Sequence, residues 1–462
     1  MLEEAIAHYH ALLDAETARA TQVQLTEVQR QRNLFFGERP LVSVLRPRMI
    51  TAAQYQLLQR ACGLVATAGR RLVAAMDDEP ALLDGLALTP GEQALIAMHP
   101  GYAEPSAHSR MDTFLTLDGE SLQFVEYNAE SPAAIAYEDV LSEVFLELPA
   151  MRRFAERYQI SALPARHRLL ETLLAAWRDF GGAGSPTIAI VDWKGLPTHS
   201  EFLLFQKYFH DNGLEALICS PDELSYHDGK LFAPPPQPSP TPGGGNKIPV
   251  DLVYKRVLTS EFLMHYGDAA LDHPLTQAYR DGKLCLVNSF RAKLLHKKSI
   301  FALLTDDALQ DRLTADERAA VARHVPWTRM VNPGSSTYQG QPVDLLEFAR
   351  ANQERLLLKP NDEYGGKGIV IGWETSAAEW ATALKEALET PFVVQERVTI
   401  AYEDYPAMVD GQLHIGRRLV DSDPFLFGTD VAGCLTRLST VTLLNVTAGG
   451  GSTVPTFVIE RR

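Results

Sequence analysis

The amino-acid sequence predicts a mixed fold of the α/β (α+β) class, assembled from several parts. Three observations support this prediction. Apolar residues recur at helical spacing over the first 95 positions, a nearly continuous apolar strand at 187–193 precedes a helical pattern, and later strands flank a glycine-rich connection. A chain of 462 residues suffices for about two to four domains with a sizeable interior.

Composition and charge narrow the classes of function. The net charge of −15 favours solubility and argues against a nucleic-acid surface. Four widely separated cysteines form no C-x-x-C pair, so the sequence indicates neither a zinc site nor a disulfide framework. The first residues are not the basic start of a signal peptide, and no apolar run reaches the roughly 18 residues of a membrane span. We expect a cytoplasmic protein without nucleic-acid or membrane partners, and homodimer formation stays open.

The first 95 residues are predicted to form an N-terminal helical region. Apolar positions repeat at helical spacing over 2–13 and 51–76, and Thr89-Pro90 is a helix start signal. We expect these helices to pack rather than to bind a ligand.

Residues 108–134 alternate like two strands of a β-hairpin that turns at an Asp-Gly pair. Arg110 and Asp112 share one face of the first strand, and Glu126 and Asn128 share one face of the second. Their hard oxygen atoms suit Mg²⁺, which takes few protein carboxylates and completes its shell with phosphate oxygens. Polar residues at period two also occur in any half-exposed hairpin, so this pattern alone leaves both interpretations open.

A βαβ-like unit is predicted after the glycine-rich break at 181–184. Its parts are the strand 187–193, the helix 202–213, and the strands 214–220 and 251–257. The Pro- and Gly-rich segment 233–247 is predicted to be a mobile excursion rather than a domain boundary. Open α/β sheets bind ligands at the carboxyl ends of their strands. The candidate substrate contacts there are Asp192, Thr198, Tyr254, Lys255 and Arg256.

Residues 355–373 contain two short aliphatic runs around a connection too long for a tight hairpin. Its glycines would let backbone N–H groups approach a polyanion, and its lysines would supply positive charge, so triphosphate is a suitable ligand. The candidates are Lys359, Gly365, Gly366, Lys367 and Gly368. A mobile glycine hairpin with solvated lysines is the alternative. A helix with a Ser-x-x-Glu capping box at 376–379 and a strand at 392–398 are predicted to follow.

Neither a Walker loop nor a Rossmann fingerprint occurs in the sequence. The stretch KPNDEYGGKGIVIGW, followed by VVQERV, instead resembles the nucleotide-binding half of an ATP-grasp enzyme. In the common ATP-grasp arrangement the metal-binding carboxylates follow this half, whereas here we find no such pattern after it. The carboxylates come first.

The order of the motifs is similar to that of one ATP-grasp branch. Arg110-Met-Asp112, followed by Glu126-Tyr-Asn128, resembles the metal motif of glutathionylspermidine synthetases, which also precedes their lysine motifs. The chain therefore resembles circularly permuted ATP-grasp proteins that are called glutathionylspermidine-synthase-like. In that family a nucleotide-binding lysine lies on a helix after an Asn-containing turn, and Asn288 to Lys298 matches this pattern without deciding between Lys297 and Lys298.

This resemblance implies ATP and Mg²⁺ as cofactors and assigns roles by position. Asp112, Glu126 and Asn128 would hold Mg²⁺, and Arg110, the catalytic candidate, would contact phosphate or an acyl phosphate. The implied ATP contacts are Lys297, Lys298, Lys359, Gly365, Gly366, Lys367, Gly368, Gln395, Glu396 and Val398.

The implied activity is ATP-dependent ligation of a carboxylate to an amine, acting on small-molecule or peptide-like substrates. An ATP-dependent phosphotransferase that uses the same site on a hydroxyl acceptor stays open. So does a non-catalytic, nucleotide-binding regulator of a partner.

The motifs and breaks divide the chain into six parts. They are an N-terminal helical region (1–95), a metal-binding part with helices (96–184), a βαβ-like substrate subdomain with the flexible 233–247 insertion (185–260), a helical connection with the nucleotide lysine (261–345), the nucleotide half (346–400) and a C-terminal closing segment (401–462). In the last part, Gly449 to Thr453, including Ser452 and Thr453, either closes over the substrate site or is an ordinary loop before a strand.

Overall fold

A computed structural model describes residues 1–235, 247–441 and 451–462. Helices and strands alternate along these ranges and form the mixed α/β fold that the sequence predicts. The α-helices are α1 (Leu2–Leu12), α2 (Ala15–Gln31), α3 (Ala52–Asp78), α4 (Pro90–Ile96), α5 (Ile135–Glu147), α6 (Pro149–Phe154), α7 (Arg166–Asp179), α8 (His199–Asp211), α9 (Thr259–Tyr266), α10 (Pro274–Arg280), α11 (Lys293–His296), α12 (Ser299–Leu304), α13 (Ala315–His324), α14 (Leu345–Ala351) and α15 (Ala377–Glu386).

Most strands belong to three larger sheets. In chain order they are β1 (Phe35–Phe36), β2 (Arg39–Pro40), β3 (Arg48–Ile50), β4 (His108–Leu115), β5 (Leu122–Asn128), β6 (Tyr158–Ala162), β7 (Ile188–Val191), β8 (Ala216–Cys219), β9 (Ser225–His227), β10 (Lys230–Ala233), β11 (Ile248–Val250), β12 (Leu252–Lys255), β13 (Cys285–Val287), β14 (Thr328–Met330), β15 (Ser335–Tyr338), β16 (Gln341–Asp344), β17 (Leu356–Pro360), β18 (Val370–Ile371), β19 (Phe392–Glu396), β20 (Tyr402–Val409), β21 (Gln412–Phe427), β22 (Asp430–Ser439) and β23 (Ser452–Arg461).

The large sheet joins segments that are far apart in the sequence. Its strands lie in the order β3, β23, β22, β21, β4 and β5, with β20 also pairing with β21 and β6 with β23. The sixteen-residue strand β21 spans enough length to pair with β20 near its start and with β4 near its end. The predicted hairpin β4–β5 thereby lies beside the C-terminal strands.

A four-stranded parallel sheet has the order β13, β12, β7, β8, and α8 connects β7 to β8. All residues of β7 are buried, as expected for an apolar strand covered on both faces. The predicted βαβ unit is confirmed. The chain leaves β7 toward β8 and returns on the other side as β12, so the topological switch point lies between β7 and β12.

We call the third sheet the lysine sheet. It is antiparallel, in the order β14, β19, β17, β18. Helix α15 begins with the predicted capping box of Ser376 and Glu379 and buries Trp380 and Leu384 against the sheet, next to Leu358. This helix fixes one face of the sheet, and β17 carries Lys359 at its end.

The N-terminal region differs in part from the prediction. Helices α1, α3 and α4 lie where the sequence predicts them, but the region also contains β1, β2 and β3, and β3 pairs in parallel with β23. A second difference lies at 151–159, a stretch that the sequence predicts to be helical: α6 ends at Phe154, and β6 begins at Tyr158. Both β3 and β6 form against β23, so long-range pairing overrides the local pattern.

Two predicted flexible segments fall partly outside the described residues. Of the 233–247 excursion, residues 236–246 are not described; the strands on either side pair with each other, Ala233 opposite Ile248. Of the predicted closing loop, Gly449 and Gly450 are not described, whereas Ser452 and Thr453 begin β23. No helix in the described ranges is long and apolar enough to cross a membrane.

Candidate active site

The hairpin β4–β5, which we call the acidic hairpin, brings four predicted residues onto one face. Asp112 lies opposite Glu126, and Arg110 lies opposite Asn128. Arg110 Nε donates to Asp112 Oδ1 over 2.8 Å, and Asn128 Nδ2 donates to the same oxygen over 2.9 Å. The register shifts after Asp112, which leaves Val125 without a partner opposite it.

Two lysines reach this hairpin from elsewhere. Lys359 Nζ donates to Val125 O over 2.8 Å, and Lys298 Nζ lies 2.8 Å from Glu126 Oε1. Burial lowers the pKa of Lys359 to about 8, against the attraction of the Glu126 carboxylate. Burial also opposes ionisation of Glu126, but the Lys298 ammonium group holds the pKa of that carboxyl below its usual value. Lys359 therefore joins the lysine sheet to the acidic hairpin through a hydrogen bond, and Lys298 reaches the same hairpin through an ion pair.

The structure separates the adjacent lysines that the sequence left undecided. Helix α11 ends at His296 and α12 begins at Ser299, so both lysines occupy a break between helices. Lys298 points to Glu126, whereas Lys297 Nζ lies 2.9 Å from Glu92 Oε2, away from the acidic hairpin.

The loop at 361–368, which we call the glycine loop, follows β17. Gly365, Gly366 and Gly368 have φ angles of +65°, +77° and +73°, in the left-handed region that favours glycine. Lys367 is 76% exposed and pairs with a neighbouring loop carboxylate. Tyr364 extends to α9, where its hydroxyl donates to Glu261 Oε1 over 2.8 Å.

The predicted nucleotide contacts on β19 and just after it contact their own neighbours. Gln395 is buried and donates to Thr328 Oγ1 over 3.1 Å, while its Oε1 accepts no hydrogen bond from the described residues. Glu396 Oε1 accepts from the Tyr338 hydroxyl over 2.7 Å. Val398 packs against the small apolar cluster around Phe114.

Two substrate candidates flank the switch point of the parallel sheet. Asp192 follows β7 and Arg256 follows β12. Burial raises the pKa of Asp192 to about 6, against the attraction of the Arg256 guanidinium. Arg256 donates to Pro132 O over 2.7 Å, so it also anchors the segment that leaves the acidic hairpin.

Of the remaining substrate candidates, Tyr254 lies beside Arg256, whose Nη1 donates to the Tyr254 hydroxyl oxygen over 3.1 Å, and the others have different partners. Tyr254 is part of the core, and the fully buried Lys255 forms an ion pair with Glu130 at 3.1 Å. Thr198 precedes α8 without making a side-chain capping bond. Ser452 Oγ accepts from the backbone of Ser43, and Thr453 lies opposite Arg437 in the large sheet.

The sequence analysis missed three residues that surround Asp112. Carboxylate oxygens of Asp112, Asp421 and Asp423 lie within 4.8 Å of one another, and the last two residues follow the nucleotide half, where the sequence analysis named no carboxylate. Arg437 bridges them, with its Nη2 2.7 Å from Asp112 Oδ2 and its Nε 2.8 Å from Asp423 Oδ2. The available signal was the alternation Asp421-Ser-Asp423, but its partner strand β4 lies some 300 residues earlier.

The donor set beside these residues suits a hard cation. Asp112 and Glu126 offer carboxylate oxygens and Asn128 an amide oxygen, which are ligands that Mg²⁺ accepts. Glu126 Oε1 is enclosed and accepts no hydrogen bond from the described residues, apart from its ion pair with Lys298. The types of donor atom therefore fit the metal that the resemblance implies, while both Asp112 oxygens now accept from Arg110, and Oδ2 also from Arg437.

No protein-family model matches the chain, and no curated protein does. Among solved structures, a glutathione synthetase-like effector from Globodera pallida, in its apo form, matches with a TM-score of 0.58 and 12% identity, over 96% of this chain and 98% of that chain. A candidate gamma-glutamylcysteine synthetase from Methylobacillus flagellatus has a TM-score of 0.41 and 12% identity, over 89% of each chain. D-alanyl-alanine synthetase A from Vibrio cholerae has a TM-score of 0.26 and 11% identity, over 59% of this chain and 74% of that chain.

The first of these similarities spans nearly the whole of both chains. It shows that this chain shares the fold of a glutathione synthetase-like protein, and the predicted ATP-grasp fold class is confirmed. The closer resemblance to glutathionylspermidine synthetases, and the circular permutation, stay predictions.

Proposed function

We propose that this chain is an ATP- and Mg²⁺-dependent carboxylate–amine ligase that acts through an acyl phosphate on small or peptide-like substrates. One observation carries the proposal. The ammonium groups of Lys298 and Lys359 meet the acidic hairpin, each 2.8 Å from a hairpin oxygen. Cations and metal-type carboxylates from distant parts of the chain are thus adjacent, as they need to be to stabilise a phosphoryl group on its way from ATP to a substrate carboxylate.

In this proposal the chain holds Mg²⁺ through Asp112, Glu126 and Asn128. The metal would neutralise charge on the phosphate oxygens when it is bound. Arg110, held against Asp112, supplies a fixed positive charge beside the phosphate that is transferred.

The proposed reaction has two steps. A substrate carboxylate oxygen attacks the γ-phosphorus of ATP, the bond to the β–γ bridging oxygen breaks, and ADP leaves. The amine nitrogen then attacks the acyl carbon, the bond from carbon to the phosphate oxygen breaks, phosphate leaves and the nitrogen loses a proton. Lys298, Lys359 and Arg110 stabilise the transferred charge, and the glycine loop excludes water that would hydrolyse the acyl phosphate.

We place the substrate that accepts the phosphoryl group at the switch point, next to Asp192 and Arg256. Ligands of open α/β sheets bind in this crevice, and the two side chains carry opposite charges. Tyr364 of the glycine loop contacts α9, which follows β12, so a closed loop would cover this crevice.

Product analysis with pools of carboxylates and amines tests the proposal. ADP and phosphate that appear only when both substrates are present support the ligase. ADP with a phosphorylated hydroxyl compound would instead identify a phosphotransferase, and ATP binding without turnover would identify a regulator. If calorimetry detects no ATP binding in the presence of Mg²⁺, the proposed site is wrong.

The metal assignment has its own test in Glu126→Gln. The change is nearly isosteric and removes one anionic ligand, so we expect a higher Mg²⁺ requirement, about tenfold or more, and slower turnover. Glu120→Gln, in the exposed turn of the same hairpin, is the matched control and should behave like the parent. The measurement is turnover against Mg²⁺ concentration for the parent and both variants. If Glu126→Gln needs the same Mg²⁺ concentration as the parent, the metal assignment is wrong.

A further inference from the structure

A buried ionic network lies beside the proposed site and is not used by the mechanism above. Its centre is Glu130, whose side chain is fully enclosed. Glu130 Oε1 accepts from Lys255 Nζ over 3.1 Å and from the backbone N–H of Thr259 over 3.0 Å. Its other oxygen, Oε2, accepts from Lys293 Nζ over 3.1 Å.

The network continues from Lys293 into the glycine loop. Lys293 is also fully enclosed, and its Nζ donates to Asp362 Oδ1 over 2.6 Å. Asp362 Oδ2 lies 3.4 Å from Lys297 Nζ, which in turn pairs with Glu92. Three carboxylates therefore face three ammonium groups, and the charges balance.

Three members of the network lie in or just after strands of different sheets, and the other three lie in or between helices. Glu130 lies two residues after Asn128, the end of β5, and Lys255 ends β12 of the parallel sheet. Asp362 lies two residues after the end of β17 and three before Gly365. The network therefore joins the acidic hairpin, the parallel sheet and the base of the glycine loop at one place.

Such a network constrains geometry because Glu130, Lys255 and Lys293 are fully enclosed, while the Asp362 side chain is 20% exposed. An enclosed charge that loses its partner is strongly destabilising, so the carboxylates of Glu130 and Asp362 are held at the fixed separation that Lys293 allows. By contrast, the outer part of the loop contains three glycines and the exposed Lys367, so its base is the better-fixed part.

We propose that Glu130, Lys293 and Asp362 are positioning residues that fix the base of the glycine loop relative to the acidic hairpin and the parallel sheet. The expected effect on ATP rests on the proposed function. The expected effect on the loop itself does not.

Asp362→Asn tests the proposal, with Glu92→Gln as the matched control. Each change removes one carboxylate charge from the same network, but only Asp362 belongs to the loop; glutamine at position 92 can keep the capping bond to Thr89. For Asp362→Asn we expect about tenfold faster amide hydrogen exchange at 361–368 and a KM for ATP raised about tenfold, with kcat within about twofold of the parent. For Glu92→Gln we expect loop exchange and KM like those of the parent, whatever the change in Tm.

Two outcomes would overturn the proposal. One is loop exchange in Asp362→Asn equal to that of the parent; the other is an equal increase in both variants, which would make the network a general stability element. If Asp362→Asn does not fold, Asp362→Glu keeps the charge while the added methylene displaces the base, and the same readouts apply. Hydrogen exchange is measured without turnover, so it tests the positioning role even if the ligase proposal is wrong.

Discussion

Lys359 connects two sheets through a single side chain. It belongs to β17 of the lysine sheet, yet its ammonium group binds the carbonyl of Val125 in the acidic hairpin. If this charge faces phosphate, Lys359→Met removes a charge-assisted contact worth about 1.5–3 kcal/mol and weakens ATP binding roughly 10- to 150-fold.

Thermal stabilisation by ATP and Mg²⁺ measures this loss. Lys385→Met is the matched control, because Lys385 is an exposed lysine in α15, the helix that packs on the same sheet, and belongs to no candidate site. We expect the control to keep the shift in Tm that ATP causes in the parent. A Lys359→Met protein stabilised as strongly as the parent would show that Lys359 has no role at a nucleotide.

The carboxyl of Asp192 gives a prediction about pH. Its pKa rises from 3.8 to about 6 on folding, chiefly through burial, so the folded protein binds this proton more tightly than the unfolded chain. The part of the free energy of unfolding that depends on this group should therefore be highest below about pH 4 and fall by up to about 3 kcal/mol as the pH rises through about 6. Asp192→Asn removes this contribution.

Urea unfolding of the parent and of Asp192→Asn, measured from pH 4 to 7, isolates the effect, because other titrating groups cancel in the difference. We expect the variant to gain stability relative to the parent up to about pH 6 and then to stay level. A difference that is independent of pH would show that Asp192 titrates normally.

At the residue scale, the sequence predicts what a strand's own periodicity determines. Arg110 and Asp112 alternate on one strand, and Glu126 and Asn128 alternate on the next, so their common face follows from period two. Asp421 and Asp423 alternate equally well. Their meeting with Asp112 depends on the pairing of β21 with β4, which no local pattern encodes.

Among the elements, the glycine loop depends strongly on residue type, because three of its positions have the positive φ angles that favour glycine. Gly366 has a φ of +77°, and Gly411, in the turn between β20 and β21, has a nearly equal φ of +76°. Alanine at either position should cost about 1–2 kcal/mol of stability, since the backbone strain is the same.

Gly366→Ala and Gly411→Ala thus form a pair matched for strain. We expect both variants to unfold at lower urea concentration than the parent. Only Gly366→Ala should raise the KM for ATP, because in our proposal the glycine loop lies at the nucleotide and the β20–β21 turn does not. If both variants changed the KM for ATP equally, the glycine loop would have no specific role in ATP binding.

Helices and strands differ in how far the sequence predicts them. Helices α3, α4 and α15 begin with capping boxes at Thr51, Thr89 and Ser376, and a cap is a local signal. The three-residue strand β3 carries no such signal and exists because β23 lies beside it. Short strands formed by distant partners are therefore the part of the fold that the sequence analysis could not predict.

At the scale of the whole molecule, β23 connects the beginning of the chain to its later strands. It pairs with β22, β3 and β6, and its first eight residues are mostly buried. Deletion of residues 451–462 should therefore abolish cooperative urea unfolding, although most of these residues lie outside the proposed site. Deletion of 460–462, which are exposed, is the control and should change stability by only about 1 kcal/mol.

Circular dichroism and tryptophan fluorescence would follow both deletions. A cooperative transition in the longer deletion, at the parent's urea midpoint, would show that the large sheet is stable without β23.

The pairing of β4 with β21 has a consequence for synthesis on the ribosome. Thr113 contacts Ser422 across 309 residues of chain. At about 5–20 residues per second, β4 leaves the ribosome roughly 15–60 seconds before its neighbour is made. During that time one edge of the acidic hairpin has no strand beside it, and an open edge is a template for pairing with other chains. Residues 108–115 of a newly made chain are therefore open to strand pairing with other chains until residue 427 has emerged, and faster translation shortens that time.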